Sequence, residues 1–266
     1  MISFNTIFAL VSRYLYLYTR NWVRFIELLF WPITDLLVWG FLTTYLLRQS
    51  NPDLPGMVTF LIGAMIFWDV LFRAQQGVAI SFLEDVWTRN LLNIFVAPVR
   101  VHEYLMATFA VGFLRILLTL TVLATVSYIF YAFNLLDLQW GLLPFIGNLL
   151  LFGWSLGMIS TALILRYGQA AEALAWAVPF LIQPVSAVFY PLSVLPAWIQ
   201  PIALAFPSTH VFEGMRHVLL HNEVPWNHVA WAFILNLFYL ALAGFIFLWI
   251  LNRVRQHGTL TKFATN

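Results

Sequence analysis

Six apolar runs separated by polar or proline-rich segments make up most of this sequence. Each is about as long as a helix must be to cross a bilayer, roughly 20 residues. Only 9% of the residues are charged and 62% are hydrophobic, whereas a soluble domain has about 25% charged residues. Most runs also lack the polar face that a helix of a soluble core keeps. We therefore predict an all-α integral membrane protein with six transmembrane helices, at Phe25–Leu47, Met57–Ile80, Leu105–Phe133, Gly141–Leu165, Ala171–Tyr190 and Trp226–Leu251.

Residues 1–22 predict an amphipathic helix that lies in the plane of the membrane interface. Apolar side chains recur at helical spacing on one face, at Phe4, Phe8, Val11, Leu15, Tyr18 and Trp22. Polar side chains lie opposite, at Asn5, Ser12, Arg13, Tyr16 and Arg20. No small-residue cleavage site follows, so the segment does not resemble a secretory signal. The alternative is that it simply begins the first span.

A polar segment at residues 81–104 separates the second and third predicted spans. Its acidic and basic side chains are Glu84, Asp85, Arg89, Arg100, His102 and Glu103. A segment of this kind between two membrane-length runs must lie in water at one face of the bilayer. It has no nucleophile–base pair, no metal-ligand spacing and no glycine-rich loop. Its charges alternate with apolar residues, which favours docking on a partner over catalysis.

The basic residues predict that both termini are cytoplasmic, because Arg and Lys are enriched in cytoplasmic loops. An even number of spans places the two termini on one side. That side then holds most of the basic residues near span ends, namely Arg13, Arg20, Arg24, Arg89, Arg100, Arg166, Arg253, Arg255 and Lys262. Only Arg48 and Arg216 fall on the outer side.

Residues 184–217 do not have the pattern of a plain loop or a plain span. Prolines break any continuous helix there, at Pro184, Pro191, Pro196, Pro201 and Pro207. The apolar pieces between them are too short to cross a membrane. We predict short re-entrant helices on the outer side, whose broken backbone must be buried in protein or face a water-filled cavity. The alternative is an external amphipathic loop on the lipid headgroups.

Two stretches resemble the membrane subunit of ABC-2-type exporters. One is SFLEDVWTRNLLNIFVAPVRVHEYLMAT after the second span, and the other is FYPLSVLPAWIQPIALAFPSTHVFEGMR after the fifth. The second stretch is the more specific, through Tyr190-Pro191-Leu192, Leu195-Pro196-X-Trp198, Pro207-X-Thr209-His210 and Gly214-Met215-Arg216. With the chain length, the amphipathic start and six spans, the resemblance covers essentially all of residues 1–266 as one transmembrane domain.

The resemblance implies a homodimeric permease driven by two copies of a cytoplasmic ABC ATPase subunit. The cytoplasmic segment would contact that subunit through Glu84, Asp85, Trp87 and Arg89. The outer segment would cap the exit path with Tyr190, Pro191, Pro196, Trp198, Pro207, His210 and Arg216. This chain contains no G-x-x-x-x-G-K-[ST] motif, so ATP and magnesium are expected on the partner. We expect no cofactor or metal in this chain, no nucleic acid, and a location in the bacterial inner membrane.

Four charged residues fall inside the predicted spans: Asp35, Asp69, Arg73 and Arg115. Such residues are costly in lipid and must face protein, water or each other. Counting residues from the cytoplasmic side places Asp35 and Arg115 at similar depth. We predict that Asp35 pairs with Arg115 or Arg73 and so holds the helices together. The alternative is that these charges line an inner vestibule for a polar or anionic group.

The resemblance also places the substrate path between the first, second and fifth spans of two subunits. Aromatic residues in those spans are the candidate substrate contacts, at Trp31, Trp39, Phe67, Trp68, Trp176 and Phe180. Each could instead face lipid or pack against a neighbouring helix. Few polar residues lie in the spans, which favours a hydrophobic or amphiphilic small molecule as cargo. A polysaccharide or a lipid-linked glycan is the alternative.

A membrane enzyme, such as a lipid-modifying transferase, is the alternative from another class. Its best candidates are Glu213 and His217, one helical turn apart, with His221 one turn further on. A helix rises about 12 Å over eight residues, so Glu213 and His221 cannot share one small metal ion. A secondary transporter is a further alternative, but such proteins often show inverted repeats and none is visible. Close helix packing is predicted at Gly153, Gly157 and Thr161, which have small-x-x-x-small spacing.

Overall fold

The computed structural model describes residues 3–49 and 55–256 of the 266-residue chain. Within these ranges the protein is helical and contains no β-strand. The α-helices are α1 (Phe4–Thr19), α2 (Trp22–Gln49), α3 (Pro55–Trp87), α4 (Leu91–Val96), α5 (Val101–Tyr131), α6 (Leu142–Tyr167), α7 (Glu172–Ile182), α8 (Gln200–Leu204), α9 (Pro207–His221) and α10 (Trp226–Gln256). Short 3-10 helices occupy Leu135–Gly141, Gly168–Ala171 and Leu192–Val194. Lys262 lies outside the described residues, as does the side chain of Arg48.

Four helical stretches are long and apolar enough to cross a membrane: Trp22–Tyr45, Val101–Tyr131, Leu135–Tyr167 and Trp226–Gln256. These agree with the first, third, fourth and sixth predicted spans. Helix α3 is also long, at 33 residues, and it carries Asp69, Arg73, Glu84 and Asp85. It contains the second predicted span and continues without a break to Trp87.

The fifth predicted span, Ala171–Tyr190, is not one continuous helix. Helix α7 has 11 residues and rises about 16 Å, which is about half of a bilayer core. It ends at Ile182, and residues 183–190 form turns and bends. Pro184 explains the ending, because proline has no backbone N–H to continue the helix, although Gln183 before it keeps helical geometry.

Helices α3 and α6 form the centre of the molecule, and two glycines let them approach closely. A Cβ atom added at Gly153 would lie 2.4 Å from the Cβ atom of Ala74, and one at Gly157 would lie 2.7 Å from that of Val78. Both distances are far shorter than a carbon–carbon contact allows. The predicted close packing at Gly153 and Gly157 is therefore confirmed.

A second close crossing joins α3 to α5 at Gly77. A Cβ atom added there would lie 2.5 Å from the Cα atom of Gly112, so the two backbones touch with no side chain between them. Gln75, on the neighbouring turn of α3, is fully buried. Its Nε2 donates to the Ser160 Oγ of α6 at 3.0 Å and to the Ala175 carbonyl of α7 at 2.8 Å. Helix α3 thus contacts α5, α6 and α7 within two turns.

The proline-rich segment folds back onto α9 through polar contacts. Glu213 accepts hydrogen bonds from the Leu192 backbone N–H at 2.7 Å and from the Arg216 guanidinium at 2.5 Å. Arg216 also donates to the Ala187 carbonyl at 3.3 Å, and its guanidinium lies 4.1 Å from the centre of the Phe60 ring of α3. The segment is therefore fixed to the helical bundle rather than extended from it.

Candidate functional site

A cavity of about 350 Å³ lies between α2, α3, α7 and the turns that follow α7. This volume is at the lower end of the range typical of ligand pockets, about 300–1,000 Å³. Most of the lining is aromatic or aliphatic, and its polar members are two carboxylates, one guanidinium and one amide. The lining residues are Trp31, Pro32, Asp35, Leu36, Trp39, Met65, Ile66, Trp68, Asp69, Phe72, Arg73, Leu123, Phe180, Gln183 and Phe189.

The cavity brings together most of the aromatic residues predicted as substrate contacts: Trp31, Trp39, Trp68 and Phe180. The other two lie elsewhere. Phe67 is fully buried and packs edge-on against Phe145 of α6, with 6.3 Å between ring centres. Trp176 is 42% exposed on α7 and does not line the cavity. Phe67 thus lies on the face of α3 that packs against α6, while Trp68 lies on the face that lines the cavity.

The sequence analysis missed two aromatic rings of the cavity. Phe72 is one turn from Trp68 on α3, so the helical period could have identified it. Phe189 lies in the turns after α7, where no period applies. Its ring stacks on Trp39 with 5.0 Å between centres and 11° between planes. This stack joins α2 to the outer segment.

Among the described residues, Asp35 forms no salt bridge with either predicted partner, Arg115 or Arg73, although the charge of Arg73 is close enough to act on it. Arg73 Nε donates to Asp69 Oδ2 at 2.8 Å, within α3. A partner one turn away on the same helix satisfies Arg73 locally. Arg115 lies instead with its guanidinium 4.3 Å from the centre of the Tyr18 ring of α1. Asp35 lines the cavity beside Asp69 and Arg73, and the ion pairs found in the described part of the chain do not include it.

A second polar site attaches α1 to the C-terminal end of α3. Asp85 is fully buried and accepts hydrogen bonds from the Arg13 guanidinium, from the Tyr14 hydroxyl at 2.5 Å and from the Tyr104 hydroxyl at 2.9 Å. The residue before it, Glu84, accepts from Tyr18 and Arg24. We call this cluster the α1 latch, defined by Arg13, Tyr14, Tyr18, Arg24, Glu84, Asp85 and Tyr104.

The α1 latch changes the prediction for the cytoplasmic segment. Glu84 is 4% exposed and Asp85 is 0% exposed, so in this arrangement neither carboxylate can contact an ATPase subunit. The structure gives these two carboxylates another role, because Arg13 of α1 neutralises Asp85 and Arg24 of α2 neutralises Glu84. Trp87 is 41% exposed, and Arg89 is exposed at a left-handed turn with φ of 54°. These two remain candidates for the contact.

The tyrosines of the α1 latch remain protonated at neutral pH and therefore act as donors. Burial raises the pKa of Tyr18 to about 12, and burial together with the nearby Asp85 carboxylate also raises the pKa of Tyr14. On the opposite face of α1, Phe4 and Phe8 are exposed. The helix therefore presents polar side chains to the bundle and large apolar side chains outwards, as an interfacial helix would.

The comparison with protein families agrees with this architecture. A family model described as ABC-2 family transporter protein matches residues 40–252. The chain belongs to the ABC-2 transporter family. The match includes the cavity residues of α3 and α7, the cytoplasmic segment and the whole outer segment.

Two relatives show how this ABC-2 protein compares with known members. It is 23% identical over 214 residues to the inner membrane transport permease YadH of Escherichia coli strain K12. That alignment covers 78% of this chain and 80% of YadH. It is 25% identical over 225 residues to ABC transporter G family member 20 of Dictyostelium discoideum. That alignment covers 80% of this chain and 29% of the Dictyostelium protein.

Family membership identifies a membrane transport subunit rather than an enzyme, and the geometry around Glu213 agrees. Glu213 is bonded to Leu192 and Arg216, while His217 Nδ1 contacts the Glu223 carbonyl at 3.1 Å. The two side chains therefore do not converge on one acid–base site. Among the described residues, no group of three or more His, Asp or Glu side chains could hold a metal ion.

Proposed function

We propose that this chain is the permease subunit of an ATP-driven exporter, which moves a hydrophobic or amphiphilic compound out across the bacterial inner membrane. The observation that carries this proposal is the aromatic cavity between α2, α3 and α7 in a member of the ABC-2 transporter family. Its lining combines apolar rings with few polar groups, which is suited to an amphiphile and offers little to a glycan. A second copy of the chain would complete the path.

The cytoplasmic segment is the proposed contact for two copies of an ABC ATPase subunit, which would bind ATP and magnesium. Its exposed side chains include Trp87, Arg89 and Val96, the last at 84% exposure. The segment lies directly beside the α1 latch, because Glu84 and Asp85 belong to the last turn of α3. Motion of the ATPase would therefore reach both α1 and the cavity wall. A nucleotide can drive such a change only if it binds one arrangement better than the other.

The proposed topology has six crossings with both termini in the cytoplasm. Helix α3 provides the second crossing. Helix α7 with the turns after it provides the fifth, in two parts. The segment from Pro184 to His217 would then be re-entrant on the outer side and cap the exit path, fixed by Glu213 and Arg216. YadH is named an inner membrane transport permease, which supports the same location here.

Co-purification with a candidate ABC ATPase from the same genome tests the proposed function. Trp87→Ala combined with Arg89→Ala should reduce the recovered ATPase and its activity at least tenfold. Trp140→Ala is the matched control, because Trp140 is 81% exposed in the 3-10 helix before α6, on the proposed outer side. It should leave recovery unchanged. Equal loss in both variants, or no complex with any ABC ATPase, would refute the proposed coupling.

A further inference from the structure

The described lining of the cavity has one more acidic than basic side chain. The cavity is lined by two carboxylates, Asp35 and Asp69, and by one guanidinium, Arg73. Arg73 is bonded to Asp69. Asp35 lies near the middle of α2 (Trp22–Gln49) and takes part in no ion pair among residues 3–49 and 55–256. A carboxylate at that depth is costly in a membrane unless it meets water or a cation.

The rings around Asp35 are suited to a cation with an apolar body. Trp31, Trp39 and Trp68 line the same cavity, and the face of an indole attracts a positive charge more strongly than other aromatic side chains do. An anion would meet the two carboxylates, while the one guanidinium is already bonded. A neutral sugar would find Gln183 as the lining's one uncharged side chain with an acceptor, besides the N–H donors of the indoles. Hydroxyl groups need more partners than that.

We propose that the cargo of this cavity is a lipophilic cation. Its positive group, an amine or a quaternary centre, would lie against Asp35, and its apolar body would pack on the indoles. This inference rests on the proposed function, in which the cavity holds the cargo. It gives the cargo the opposite charge from the anionic group that the isolated sequence also allowed.

Two probes of the same shape and opposite charge test the proposal. Tetraphenylphosphonium and tetraphenylborate each carry four phenyl rings around one central atom. Binding of each to the full chain in nanodiscs is measured by equilibrium binding, with binding to empty nanodiscs subtracted. The wild-type chain should bind the phosphonium at least tenfold more tightly than the borate.

Three variants assign the preference to one carboxylate. Asp35→Asn should bind both probes within about twofold of each other, because it keeps the shape of the side chain and removes its charge. Asp35→Glu should retain the preference. Glu27→Gln is the matched control and should also retain it, because Glu27 is exposed on the same helix and does not line the cavity. If Asp35→Asn does not fold, the ratio of phosphonium to borate affinity in the wild-type chain still tests the proposal.

The outcomes separate this inference from the proposed function. Equal binding of the two probes by the wild-type chain, or an unchanged preference in Asp35→Asn, overturns the cationic cargo. Either result would leave the permease function in place, because ATPase co-purification does not depend on these probes. Failure of both probes to bind would overturn the cavity as the cargo site.

Discussion

Replacing Asp85 by alanine should release α1 from the helical bundle. Asp85 accepts hydrogen bonds from Arg13, Tyr14 and Tyr104, and both tyrosines are buried. The substitution leaves two buried hydroxyl groups and one guanidinium without their acceptor. Breaking a buried ion pair by removing one partner costs about 3–5 kcal/mol. The side chain of Arg13 is 32% exposed, so solvent screens part of its loss and about 3 kcal/mol is expected.

The absence of cysteine from the sequence makes this release simple to measure. Leu10 is 8% exposed on the inner face of α1, so a maleimide should label Leu10→Cys slowly. Combining it with Asp85→Ala should accelerate labelling by about a hundredfold, which is the factor that corresponds to about 3 kcal/mol. Phe8 is 73% exposed, so Phe8→Cys should label equally fast with and without the Asp85→Ala substitution.

A second carboxylate controls for the loss of charge alone. Asp137→Ala removes an exposed carboxylate in the 3-10 helix before α6 and should leave the labelling of Leu10→Cys unchanged. Gel filtration of each variant should show a folded protein, so that global unfolding is distinguished from release of α1. If Leu10→Cys remains equally protected without Asp85, apolar contacts hold α1 and the α1 latch contributes little.

Three further predictions follow from the packing. Gly153→Leu should destabilise the protein by about 3 kcal/mol or more, because the new side chain would overlap Ala74. The melting temperature in detergent measures this loss. Gly147→Leu is the control and should leave that temperature nearly unchanged, because an added Cβ there meets nothing within 4 Å. Gln75→Leu should cost about 1–3 kcal/mol by leaving buried acceptors on α6 and α7 unpaired, and the same melting assay measures it. Burial lowers the pKa of His210, so the fold favours its neutral form, and the stability present above about pH 6.5 should be lost as pH falls. Hydrogen-exchange protection in α8 and α9, after division by the intrinsic exchange rate at each pH, should be weaker at pH 5 than at pH 7.5 in the wild type. This difference should be smaller in His210→Gln, where the neighbouring His228 remains.

The helices were predictable because hydrophobic length is a local property of the sequence. Close packing at Gly153 was also predictable, since small residues at four-residue spacing have one common use in membrane helices. The burial of Asp85 was not predictable, because its neutralising partners lie in another helix with no local signal to connect them. The early end of the fifth span had a visible cause in Pro184, which the length of the apolar run obscured.

The cavity was predicted in part. Trp31, Trp39, Trp68 and Phe180 were assigned to the substrate path from their spans, and the structure places all four around one space. Span membership does not specify the helix face, however, which is why Phe67 was included and Phe72 was not. A turn without helical period, such as the one carrying Phe189, offers no basis for such an assignment.

The geometry of α3 also has a mechanical consequence. The helix is an unbroken rod about 50 Å long, and its backbone touches that of α5 at Gly77 and Gly112. This contact is a possible pivot point for α3. The helix extends about 15 Å from Gly77 to Trp87 on one side of it and about 12 Å from Gly77 to Asp69 on the other. If α3 tilts there as a rigid body, a sideways displacement of about 3 Å at Trp87 moves Asp69 by about 2.4 Å in the opposite direction. A displacement of the C-terminal end of α3 would thus change the width of the cavity, at a ratio set by the position of Gly77.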